Sequence, residues 1–161
     1  MRQTGISHYL LLITAAAIFG CVADTSSLDR FTRIDVVTGG FTKHFKESVL
    51  RVSDRGLYSA ELLFGGGGPK VGANNLFLIV HDEHDRDVEG ASVRIDSKYL
   101  GSEPVAEAGQ PLVKEKYGGL YRIEGLSLGK SGHWVLSVII GKAGVEDSVA
   151  FDLPEVPPAP P

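Results

Sequence analysis

The stretch Trp134-Val135-Leu136-Ser137-Val138-Ile139-Ile140 sets the class of fold. On an extended chain Trp134, Leu136, Val138 and Ile140 fall on one face, because successive side chains alternate across a strand. Six further segments read the same way. Ser48–Val52 and Leu57–Phe64 flank Asp54-Arg55-Gly56, a plausible hairpin turn. Asn75–His81 is a nearly continuous apolar run suited to a sandwich-core strand. Ala91–Asp96 alternates, with Ala91, Val93 and Ile95 on the inner face. Leu120–Leu126 and Asp147–Leu153 supply the last two. About seven short strands with turn signals between them, and no credible long helix, predict an all-β fold. The expected architecture is an immunoglobulin-like antiparallel β-sandwich.

The rest of the chain divides around that block. Of 161 residues, 1–20 read as an export signal and 21–47 as an N-terminal tether and lead-in. The sandwich occupies 48–153, and 154–161 form a proline-rich extended tail. Within the lead-in, Ile34–Thr38 suggests a short strand closed by Gly39-Gly40. Phe41–Ser48 has no clean period. Tyr99–Gly119 reads as a long polar connection.

The front end carries the sharpest signal. Arg2 precedes the apolar-to-small run Tyr9–Phe19. Eleven residues of helix rise about 16 Å, short of the roughly 30 Å of a bilayer core, so the run suits a signal h-region. It ends in Ile18-Phe19-Gly20-Cys21, which resembles the bacterial lipobox. That resemblance implies cleavage before Cys21 and acylation of its thiol, with palmitate-type chains anchoring the protein to a lipid bilayer. Cys21 is the only cysteine, so no intramolecular disulfide framework exists. Val22 follows it where an Asp would favour retention in the inner membrane. The expected location is therefore the bacterial cell envelope, on the periplasmic face of the outer membrane.

Net charge is −4, from 16 basic and 20 acidic residues. Nothing in that balance points to nucleic acid as a partner. No Gly-x-Ser-x-Gly or His-Glu-x-x-His motif occurs, so no catalytic residues are assigned and the chain is read as non-enzymatic. Gly65-Gly66-Gly67-Gly68-Pro69-Lys70 lacks the phosphate-loop form and reads as a flexible loop.

Several segments in order resemble the YtkA-like domain family, small immunoglobulin-like modules of exported bacterial proteins related to the periplasmic part of FixH. They are Gly56–Leu62, Pro69–Leu76, His81–Val93, Gly119–Ile123 and Ser131–Val138, covering about residues 56–153. The resemblance implies a copper-handling or cytochrome-oxidase-assembly context. The family's methionine-rich stretch is missing here, since Met1 is the only methionine and Ser97–Pro111 has none. Cu(I) prefers thioether and thiolate donors, so a Cu(I) role is disfavoured.

His81-Asp82-Glu83-His84-Asp85 is the one ligand-dense cluster. It admits two readings: a charged turn between core strands, or a divalent metal site (zinc, copper or nickel) on His81 and His84, completed by His44 or His133. No other cofactor is implied. As a protein-binding module the chain would meet another envelope protein through the loops Gly65–Lys70, His81–Asp87 and Lys98–Gln110, since loops on a rigid sandwich commonly carry recognition.

Overall fold

The computed structural model describes residues 28–105 and 110–159. The segment read as an export signal, Cys21 and the residues up to Ser27 lie outside the described residues. Among the described residues the architecture is all-β, with ten strands in three antiparallel sheets. A five-stranded sheet has the order β3 (Val49–Val52), β4 (Tyr58–Phe64), β5 (Gly72–Asp82), β8 (Leu120–Leu128), β7 (Leu112–Tyr117). A three-stranded sheet has the order β10 (Val145–Val156), β9 (Gly132–Lys142), β6 (Ser92–Tyr99). The two pack as a β-sandwich. The third sheet is a hairpin of β1 (Arg33–Thr38) and β2 (Phe41–Phe45).

The alternation read from the sequence places the core between the two large sheets. Leu62, Leu76, Leu78 and Val80 from one sheet meet Ile95, Leu136, Val138, Ile140 and Phe151 from the other, all essentially inaccessible to solvent. Trp134 anchors one end. Its indole Nε1 donates to the Lys130 carbonyl at 2.9 Å, and its ring lies 5.2 Å from that of Tyr99. Tyr121 crosses the core, and its hydroxyl donates to the Val88 carbonyl at 2.7 Å while accepting the Ala91 amide at 3.1 Å. Both polar tips are satisfied, as buried Trp and Tyr require.

Three features depart from the sequence reading. The lead-in is a formed hairpin lying on the outer face of the five-stranded sheet. There Phe45, with Leu28 and Phe31, covers Leu63, Phe77, Ile79 and Leu120. This explains why Asn75–His81 is apolar almost throughout: Leu76, Leu78 and Val80 face the core while Phe77 and Ile79 face the hairpin. Second, the supposed polar connection contains β7, an edge strand exposed along most of its length. Its Leu-Val-Lys-Glu-Lys-Tyr pattern hid it, because lysines suit a strand edge that must resist further pairing. Third, β10 continues past Leu153 to Val156, which is buried. Pro154 is accommodated because β10 is an edge strand whose register slips between Leu153 and Val156.

The turns follow from local chemistry. At Gly118-Gly119 both φ angles are positive (51° and 66°), the signature of a two-residue type I′ hairpin between Tyr117 and Leu120. Gly119 has a second constraint. A Cβ there would lie 2.5 Å from the Val80 carbonyl oxygen and 3.0 Å from the Val88 nitrogen. Its own carbonyl accepts the Val80 amide at 2.9 Å. Gly119→Ala is therefore expected to destabilise the fold by about 2–4 kcal/mol, through the left-handed backbone and the clash together. Denaturant melts of the two proteins measure this, and equal midpoints would show that the loop yields freely.

Candidate functional site

The polar residues that the structure gathers lie on the outer face of the five-stranded sheet, beneath the hairpin. Alternation along β4 turns Ser59, Glu61 and Leu63 outward, and along β5 it turns Phe77, Ile79 and His81 outward. Leu63, Phe77 and Ile79 form an apolar floor, while Ser59, Glu61 and His81 form a polar end to it. Ser59 and His81 are direct cross-strand partners.

Glu61 is 1% exposed. A buried carboxylate is expensive unless its lone pairs are filled, and here they are. It accepts the His44 amide on both oxygens (3.0 and 2.9 Å), the Phe45 amide at 2.7 Å and the Ser48 hydroxyl. The His44 ring contributes a further contact, Nδ1 to Oε2 at 2.9 Å. A carboxylate only accepts, so Nδ1 carries the proton in that bond. One side chain of β4 thus holds the backbone of β2 and the Ser48 hydroxyl of the bend that follows it.

A second carboxylate grips the other end of β2. Asp85 accepts the Thr42 amide at 2.8 Å and the Thr42 hydroxyl at 2.6 Å. It sits in left-handed backbone (φ 61°), a conformation Asp tolerates better than most residues. Burial pushes its carboxyl upward, but the Thr42 hydrogen bonds and the nearby His81 and His44 rings outweigh this and hold it below the ordinary value of 3.8. Between the two grips lie the imidazoles. The His44 and His81 rings are 5.0 Å apart, and His81 directs Nδ1 toward Asp85 at 3.4 Å and Nε2 toward Asp87 at 3.2 Å.

The loop after β5 is a tightly tied charged turn. Asp82 accepts the amides of His84 and Arg86 (2.9 and 3.1 Å) and is paired with the Arg86 guanidinium at 2.7 Å. The Arg86 hydrogen bond holds the Asp82 carboxyl down at about 2. His81 and His84, the two metal ligands proposed from the sequence, do not share a site. His81 is buried under the hairpin, whereas the His84 side chain is 65% exposed and lies 3.7 Å from Glu83. His44 does join His81, but His133 is paired with Asp152 across β9 and β10. Among the described residues no group of three or more His, Cys, Asp or Glu is placed to hold a metal ion.

Glu61 escaped the sequence reading. Its signal was a lone carboxylate on the apolar strand Tyr58–Phe64, in phase with Leu63. Of the loops expected to form contact surfaces, Gly65–Lys70 borders a groove of about 520 Å³ floored by Leu62, Phe64 and Leu153. His81–Asp87 borders a shallower depression of about 310 Å³ with Leu57, Lys142 and Val145. The fold and this constellation define a β-sandwich whose outer face is covered by its own N-terminal hairpin. No family model, curated protein or solved structure matches the chain.

Two outcomes follow from the geometry. A carboxylate whose folded value is depressed adds stability above its unfolded value of 3.8, and that stability is lost as pH falls through the folded value. Asp85→Asn should therefore lower the melting temperature at pH 7, and the gap to wild type should shrink below pH 3.8. A gap of the same size at pH 7 and pH 2.5 would contradict the assignment. Ser59 Oγ is buried without a hydrogen-bond partner. Ser59→Ala should thus be neutral or stabilising by up to about 1 kcal/mol, and a clear loss in a denaturant melt would reveal a missing partner.

Proposed function

We propose that the protein is a lipid-anchored bacterial envelope lipoprotein whose β-sandwich serves as a non-enzymatic binding or assembly module for another envelope protein. The observation that carries this reading is Cys21, the sole cysteine, placed directly behind an eleven-residue apolar run and Gly20. Residues 22–27 connect it to the first described residue, and six extended residues reach about 20 Å. The sandwich would therefore stand close to the membrane surface. Val22 at the position after the cysteine favours the outer membrane, with the domain in the periplasm.

Strand order supports the immunoglobulin-like form of this reading. The order β4-β5-β8-β7 facing β10-β9-β6 corresponds to strands A-B-E-D against G-F-C of a constant-type sandwich. β3 is then an added strand on the first sheet. Such a scaffold presents loops and faces for recognition.

Cys21→Ser is expected to move the protein from the membrane fraction to the soluble fraction, and mass spectrometry of the wild-type N-terminal peptide should find acyl chains on Cys21. Full membrane retention of the variant would defeat the proposal.

A further inference from the structure

We propose that the β1–β2 hairpin is a releasable strap, opening as a unit while the sandwich stays folded and thereby uncovering the apolar face of Leu63, Phe77, Ile79 and Leu120. The contact it breaks is autoinhibitory: the chain's own segment occupies the face. The inference rests on the binding-module reading above for its purpose, though not for its mechanics.

The way the hairpin is held is the first ground. β1 and β2 pair only with each other among the described strands, so no backbone ladder joins them to the five-stranded sheet. The polar attachment consists of two carboxylates: Glu61 accepts the His44 and Phe45 amides and the Ser48 hydroxyl, and Asp85 accepts the Thr42 amide and hydroxyl. Each grip can be released without disturbing any strand pairing within the sandwich. Local opening draws on such weakly tied units.

The composition of the two surfaces is the second ground. β1 is exposed at five of six positions, with Val36 and Val37 at 50% and 68%, so it adds little to the cover. The apolar hold comes from Phe45 together with Leu28 and Phe31 just ahead of β1. Phe31 meets Phe45 and Phe77 edge-on at 6.1 and 6.2 Å. Beneath them the sheet presents four large apolar side chains where a solvated outer face would be polar. Once uncovered, these four side chains would form a contiguous exposed apolar patch, the kind of surface that marks an interaction site.

Position in the chain is the third ground. The strap lies between the proposed anchor at Cys21 and the sandwich. Opening it as a paired unit would leave residues 28–47 on the anchor side of the sandwich as the face is bared.

Hydrogen exchange of the full chain in detergent tests this. Amides at 41–48 should exchange at least about tenfold faster than those at 134–140, reflecting opening below the global unfolding free energy. Glu61→Gln weakens bonds to a charged acceptor and should speed exchange at 41–48 about tenfold more, leaving 134–140 unchanged. Binding of a dye that reports exposed apolar surface should rise in parallel. Thr42→Ala, which removes only the hydroxyl grip, gives a milder acceleration at the same amides should Glu61→Gln fail to fold. Exchange at 41–48 in step with 134–140 in wild type and variant would overturn the strap, as would a complete lack of protection at 41–48. A strap that opens in a chain lacking acyl groups on Cys21 would leave this inference standing and remove the lipoprotein reading alone.

Discussion

A single carboxylate organises the outer half of this molecule. Glu61 sits on a strand otherwise devoted to core packing, on the face turned away from the core. Buried beneath the hairpin without partners, it would cost several kcal/mol in lost hydration. Its oxygens instead receive two consecutive backbone amides, a ring nitrogen and a hydroxyl from β2 and the bend after it. These bonds fix where the hairpin docks, and the docked hairpin places Phe45 over the apolar residues beside Glu61. Asp85 repeats the device at the far end of β2. Asp147 uses related chemistry at another corner, accepting the amides of Arg55, Leu57 and Ser148.

Consequences for packing follow directly. β4 and β5 are buried on both faces, one against the second sheet and one against the hairpin. A strand in that position carries apolar residues without alternation, as Leu76–Val80 does. The two burials differ in kind. The inner one is a close-packed core between hydrogen-bonded sheets, and the outer one is a small aromatic cluster closed by polar side chains. The proposed strap exploits this difference, because elements joined by a few side-chain bonds can open at lower free energy than a sheet ladder.

The sandwich strands were legible in the sequence because alternation and turn chemistry are local. Trp134–Ile140 and Ala91–Asp96 announce themselves within seven residues, and Gly39-Gly40 marks the close of the short strand Ile34–Thr38. β7 was not legible, since an exposed edge strand needs no apolar face. Neither was the end of β10, where Pro154 reads as a stop and is tolerated only because the strand lies at an edge. The His81–Asp85 cluster was visible, but its two readings could not be separated by spacing alone.

By itself the sequence determined the all-β class, most strand positions and the covalent facts at the front end: one cysteine, one methionine and an apolar run of a given length. Those are properties of residue type and local period. Only the tertiary structure decided which polar groups meet. His44 reaches Glu61 across 17 residues and Thr42 reaches Asp85 across 43. The register of β4 against β5 sets Ser59 opposite His81. That register buries His81 beside His44, while the turn leaves His84 in solvent three residues on. Period-two alternation assigns each residue to a face, but the neighbour it finds there depends on where a distant segment docks.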